Sequence, residues 1–421
     1  MMQLKKLDLA AFLLASLFVV GTAVGAEGAA SMRLAVFRCD ATPPLGSKIY
    51  DGKFTTVEQP LAAKGVVLDD GRSRYVLCAL DWRWLRGPEN RLFRRKLAEA
   101  TGADLSHVAV QCVHQHTAPS SAETEEDFFD KMTDRVAAAA KRSLNEMQPF
   151  DSIGTGQTRV ERVASNRRVV TKDGTVRNRF SSTKKSPELR AAPEGLIDPY
   201  LKTITFASGK KPLARLHYYA THPQSFYKDG RVSIDFVGMA RERWQEKEGV
   251  PQIYFTGCAG DIGAGKYNDG SRRARAELEE RLYRAMAASS ATTQLEPVGK
   301  ITWRTVKLSQ PWDDRTITSA SGGKIIDERV VGLIETSSLQ MGDVHILNLP
   351  GEPFVAYQLY AQELMLNSFV ATTGLGDGNT GYIPTAQAAA EGGYGVRVSP
   401  SVASQEEAAL KKAIRDLLGV K

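Results

Sequence analysis

Short apolar runs with strand character alternate with longer stretches of helical periodicity along nearly all of the 421 residues, and this interleaving constrains the fold most. Strands are expected over residues 32–39, 65–68, 75–80, 108–113, 201–206, 214–220, 252–255, 298–308 and 344–349. Helices are expected over 89–101, about 125–145, 238–248, 272–289, 352–365 and 406–418. The polar stretch 172–194 reads as a long surface loop. No repeat and no linker interrupts the pattern, so residues 27–421 are expected to form one α/β domain, a mixed, layered β-sheet core flanked by helices. Hydrophobic residues at 42% and charged residues at 24% are ordinary for a folded chain and exclude wholesale disorder.

The first 26 residues stand apart. Lys5 and Lys6 precede an apolar run over 9–20 and a small-residue stretch ending at Ala26, the order of a secretory signal peptide. The apolar run is shorter than the roughly 20 residues that span a bilayer, which disfavours a membrane anchor. An exported protein, periplasmic or secreted, is expected, with a mature chain starting near Glu27. The formal charge is +7, or +6 without the leader, a mild excess compatible with peripheral contact at an anionic membrane surface. The basic runs lack interleaved aromatic residues, so no nucleic-acid partner is expected. Cys39, Cys78, Cys112 and Cys258 form no CxxC pair; disulfides and buried free thiols both remain open for them.

The chain has only six histidines. His114 and His116 close the strand 108–113, where residues two apart share a face, so both imidazoles are expected to project together at a loop mouth. His222 closes the next strand of this kind, with Pro223 ending the ladder. Two strand-tip histidine sites are a common way to present metal ligands; solvent-exposed polar residues are the plainer reading. His217 falls on the opposite face and reads as a core histidine, and His107 and His345 read as structural.

Residues 260–266 approach a phosphate-binding loop, but Tyr267 stands where a serine or threonine would bind magnesium, so a tight glycine-built loop lining a pocket is expected instead. Glu352, in Pro350-Gly351-Glu352, reads either as a metal ligand or as an acid at a helix N-terminus. Tyr382 and Tyr394 flank a short helical stretch, where ordinary packing is the simplest role.

In their order these segments resemble the neutral/alkaline ceramidases. The sequence shows His-x-His-x-x-Pro from His114, Asn166-Arg167, Thr221-His222-x-x-Ser225, Ala259-Gly260-Asp261, Pro350-Gly351-Glu352, and Tyr382-x-x-Thr385 with Tyr394 downstream. The resemblance covers about residues 32–398. It implies a ceramidase-like catalytic domain with one zinc ion held by His114, His222, Glu352 and Tyr382. It implies that His116 and Tyr394 bind the oxyanion of the tetrahedral intermediate and that Arg167 lies near the substrate head; Asp261, on the Gly-Asp turn of the pocket, reads as structural or as a support just behind the ligands. Two departures stand out. Gly263 occupies a position where the family carries a serine near the substrate hydroxyls, and the chain leaves no room for the family's C-terminal immunoglobulin-like domain.

The reaction so implied is zinc-assisted hydrolysis of a small-molecule or lipid N-acyl amide. An esterase or small-amide deacylase on the same site is a second expectation, and a non-catalytic exported binding protein that keeps the fold is a third.

Overall fold

The structure, a computed structural model, describes residues 32–49, 52–226, 230–308, 317–318, 324–325, 334–376, 378, 380–396 and 399–420. The leader expected over 1–26 lies outside them. All described residues fall within one compact unit, Ser31–Lys421.

Three sheets share one construction. In the first, β1 (Arg33–Asp40), β2 (Ala62–Asp69) and β3 (Arg74–Leu80) pair antiparallel in succession. The chain then crosses through α1 (Gly87–Thr101) to β4 (Val108–Cys112), which lies parallel to β3. Helix α2 (Glu126–Ser143) follows. In the second, β5 (Ser152–Arg159), β6 (Tyr200–Ser208) and β7 (Lys211–Tyr219) run antiparallel. Helix α3 (Asp235–Glu248) carries the chain to β8 (Gln252–Thr256), parallel to β7. Helix α4 (Arg272–Ala291) then leads to the edge strand β9 (Gln294–Pro297) beside β5. In the third, β10 (Ile301–Leu308), β11 (Ile334–Met341) and β12 (Val344–Asn348) are antiparallel, and α5 (Val355–Glu363) crosses to the parallel β13 (Phe369–Thr373). The closing helix α6 (Pro400–Leu418) packs on the third sheet.

Strand alternation builds two of the cores. Val66, Leu68, Leu77 and Ala79 of the first sheet pack with Ile204, Phe206, Leu216 and Tyr218 of the second. The opposite face, with Ala63, Val67, Val76 and Cys78, packs on Phe93 and Leu97 of α1 and Met132 and Val136 of α2. Because β2, β3 and β4 are covered on both faces, they are apolar almost throughout. A third core joins Leu347 and Val370 to Ala361 of α5 and Leu410, Ile414 and Leu417 of α6.

The structure corrects several expected boundaries. Strand β5 was not expected, because its sequence, SIGTGQTR, is glycine-rich and polar. Its glycines serve close packing: a Cβ on Gly156 would stand 2.0 Å from the Ser289 carbonyl oxygen of α4. The polar strand β11 and the strand β13 were also not foreseen. The stretch 172–194 is not all loop, since it holds a strand at Val176–Asn178 and a short helix at Pro187–Ala191. The helix expected from residue 352 begins at Val355, and that expected from 406 begins at Pro400, capped by Ser399.

Candidate metal centre

Each sheet sends a chemically distinctive residue past the carboxyl end of a strand with a parallel neighbour: His114 after β4, His222 after β7 and Glu352 after β12. This is the end of a parallel strand pair where α/β folds place ligands.

The first strand ends earlier than expected, at Cys112. His114 has a left-handed backbone, φ 69°, so strand alternation is not what aims the two imidazoles. A turn brings them together instead, with ring centroids 4.9 Å apart. That turn is anchored from below. His114 N donates to Trp82 O, and Gln115 Nε2 donates to Asp81 O at 2.7 Å. Asp81 in turn accepts from Arg241 through both oxygens, at 2.8 and 2.9 Å, with both side chains buried. His222 is held by the glycine loop: its N donates to Ile262 O, and it bridges to Gly263. Glu352 does not open a helix. With Pro353 it forms a two-residue strand parallel to Tyr382–Ile383, and Glu352 lies opposite Tyr382.

The partners of the ring nitrogens fix their protons. His114 Nδ1 lies 2.7 Å from Arg83 O, and His222 Nδ1 lies 2.7 Å from Ala259 O and 2.9 Å from Ile262 O. A carbonyl only accepts, so each Nδ1 carries a hydrogen, and in the neutral ring this leaves Nε2 bare to face the site. His222 Nε2 also accepts an N–H from Arg167 at 3.2 Å, as an unprotonated nitrogen does. The two Nε2 atoms are 3.0 Å apart. Glu352 Oε2 is 3.3 Å from both and is buried without a hydrogen-bond partner.

These three atoms fit a metal ion. A point equidistant from them lies about 1.9 Å from each, close to the roughly 2.0–2.2 Å of zinc–nitrogen and zinc–oxygen bonds. The Nδ1–carbonyl bonds are the outer contacts that orient metal-ligating histidines. Charge agrees as well. Burial and the Arg167 guanidinium push His222 down to about 3, and burial with the neighbouring imidazoles pushes His116 far below its usual value. Burial alone would raise the Glu352 carboxyl, but the His114 and His222 rings beside it hold it well below the usual carboxylate range. The His222 ring is therefore neutral and the Glu352 carboxyl ionised.

The other expected site residues surround this trio. The metal-capable nitrogens of His114, His116 and His222 all lie within 4.8 Å of one another, and His116 Nε2 is buried without a partner. Tyr382 and Tyr394 hydroxyls are 3.0 Å apart. Arg167, 2% exposed, donates from Nη1 to Tyr394 OH at 2.6 Å and from Nη2 to Gln224 Oε1 at 3.0 Å. Its guanidinium lies over Gly263, where a Cβ would be 2.9 Å from Nε. Asp261 stands one step out, accepting from Asn166 Nδ2 and Val355 N at 2.8 Å each. Sequence reasoning missed Gln224, Arg83 and the Asp81–Arg241 pair; only Gln224, inside Thr221–Ser225, lay in a segment already singled out.

The remaining residues sit away from the trio. His217 bonds Thr203 Oγ1 and Gln252 Oε1 in the core at 2.9 and 2.6 Å, His107 stacks on Tyr75, and His345 is buried in β12. All four cysteines are free thiols. Lys266 Nζ donates to Arg190 O and Ala192 O, which leaves the glycine loop as the seat of His222 and not a phosphate cradle.

No protein-family model and no curated protein matches this chain. Solved structures do. A neutral ceramidase from Pseudomonas aeruginosa superimposes with a TM-score of 0.68 at 15% identity, over 93% of this chain and 75% of that one. A ceramidase complexed with C2 gives a TM-score of 0.68 at 13% identity, over 92% and 75%. The chain has the neutral ceramidase fold, a mixed α/β architecture without a closed barrel.

Proposed function

We propose that this chain is an exported, zinc-dependent hydrolase of N-acyl amides. The observation that carries the reading is the meeting of His114 Nε2, His222 Nε2 and Glu352 Oε2 at 3.0–3.3 Å, with both Nδ1 atoms held by backbone carbonyls. The shared fold supports it, since ceramide is itself an N-acyl amide and ceramidases bear its name. His114, His222, Glu352 and Tyr382 would hold the ion. Zinc so bound supplies Lewis acidity, which polarises an amide carbonyl and makes water nucleophilic near neutral pH.

The chain's own groups supply the rest. His222 Nε2 has one lone pair, so if that pair held the ion the Arg167 N–H would be left to Tyr394 and to substrate. Tyr394 accepts from Arg167, so its own proton is available to Tyr382 or to an oxyanion. His116, unpartnered at Nε2, faces the same point. Two such donors aimed at developing charge each contribute about 3 kcal/mol. Gly263 offers substrate no hydroxyl, so the proposal is for N-acyl amides as a class, lipid amides among them, and not for ceramide in particular.

The test is metal analysis of the purified mature protein, with hydrolysis of matched amides and esters before chelation, after it, and after zinc is restored. Zinc-dependent release of amine supports the proposal. Turnover of esters alone moves the activity to an esterase, and bound zinc without turnover of any member moves it to a binding protein.

A further inference from the structure

The segment from Arg168 to Leu196 is the one polar stretch that the site does not absorb. It carries seven lysines and arginines against three acids, a net +4 of the chain's +7. Of the eight large apolar side chains exposed among the described residues, three belong to it: Val170 at 61%, Phe180 at 56% and Leu196 at 56%. The segment wraps the rim of the candidate centre. Phe180 stands edge-on to Tyr394 with ring centroids 6.0 Å apart, a Cβ on Gly393 would touch Val176, and Leu196 O accepts from Asn166, next to Arg167.

The surface is also preformed. Buried Arg179 donates to the carbonyls of Leu189 and Pro193 at 3.0 and 2.7 Å, and Lys266 donates to that of Arg190 at 2.7 Å. The Arg179 bonds tie the segment to itself, and Lys266, with Thr183 Oγ1 donating to Gly265 O and Asn268 Nδ2 to Ser181 O, pins it to the body of the fold. Arg177 is paired with Glu188, but Lys172, Lys184 and Lys185 are exposed and have no carboxylate partner among the described residues.

We infer that this rim docks the mouth of the site onto an anionic phospholipid surface. Apolar side chains enter the headgroup boundary while unpaired lysines meet lipid phosphates, the combination that holds peripheral proteins at membranes. Charge selects this occupant: a neutral apolar partner would leave three unpaired ammonium groups at the interface. No helix among the described residues is long and apolar enough to cross a membrane, so contact of this kind is peripheral. An acyl chain leaving the bilayer would pass Phe180 on its way to Tyr394. That last consequence rests on the amide reading; the docking itself does not.

The experiment is co-sedimentation of the mature protein with phosphatidylcholine vesicles made with and without phosphatidylglycerol. Partitioning onto the anionic vesicles should fall about thirtyfold in the variant carrying Lys184→Ser and Lys185→Ser, roughly fivefold for each lysine. It should fall about tenfold in Phe180→Ser. The double lysine variant should keep the parent's melting temperature and its turnover of a water-soluble short-chain amide. Equal binding to both vesicle types, or unchanged partitioning in all variants, overturns the inference. Absence of amide turnover in the parent counts against the enzymatic reading alone, because sedimentation is read without it.

Discussion

His114 and His222 meet through their Nε2 atoms, 3.0 Å apart. Each ring gives its Nδ1 hydrogen to a backbone carbonyl, at Arg83 and at Ala259, which aims Nε2 at the same point. Glu352 Oε2 adds a third donor atom 3.3 Å from both. The backbone holds the three together, in an arrangement that a cation would complete.

A metal ion held by these three atoms should stabilise the fold. Chelation should lower the melting temperature by several degrees, and zinc in excess should restore it, because binding to the folded state alone contributes about 3–4 kcal/mol at a hundred to a thousand times its dissociation constant. Differential scanning calorimetry with and without chelator checks this. An unchanged melting temperature after the metal has been removed would contradict it.

His116→Ala and Tyr394→Phe should separate catalysis from metal retention. Each should keep a near-normal zinc content and lose about a hundredfold in kcat, the usual effect of removing one oxyanion donor. The pair of measurements is metal content and kcat on the best substrate of the parent. Loss of zinc in His116→Ala would make that residue a ligand.

The glycine loop should act on the metal site through Glu352. A Cβ on Gly260 would stand 2.3 Å from the Glu352 carbonyl oxygen, a clash with backbone. Gly260→Ala should therefore destabilise the fold by about 2 kcal/mol. Zinc affinity should fall about tenfold or more, as when groups supporting a ligand are disturbed. Urea unfolding and competition with a chromogenic chelator read the two effects.

Much of this was legible in the sequence, for different reasons at different places. The strand-tip histidines announced themselves because few residue types end an apolar run with a metal-binding group. Their geometry was not legible: a left-handed His114 replaces the expected alternation, and only the hydrogen bonds of the folded chain reveal it. Glu352 was visible as an acid after a strand, yet its pairing with Tyr382 needed the return of a distant segment. Strand β5 escaped because its glycines answer to the helix packed on it and not to strand propensity. The Asp81–Arg241 pair lies 160 residues apart in sequence, and no local pattern links its members.

His217 should give the apo protein a defined acid sensitivity. Ser289 donates to Thr203, Thr203 to His217 Nδ1, and His217 Nε2 to Gln252, a chain that needs a neutral ring. Burial pushes its pKa down to about 4. Between that value and about 6.5 the unfolded chain binds a proton that the folded chain refuses. The contribution is complete above about pH 6.5 and is lost as pH falls toward 4, to a total of about 3 kcal/mol. With metal chelated in both proteins, the drop in unfolding free energy from about pH 7.5 to 5 should be smaller in His217→Gln than in the parent. An equal drop would show that His217 is not held neutral.

The most direct test of the account is the zinc content of the purified protein and of His222→Ala, measured by atomic spectrometry after exhaustive dialysis. About one zinc per parent chain is expected, in keeping with a single set of converging donors, and most of it should be absent from the variant. Stoichiometric zinc retained by His222→Ala, or a parent chain that binds none when zinc is supplied, would contradict the assignment of these residues as a metal centre.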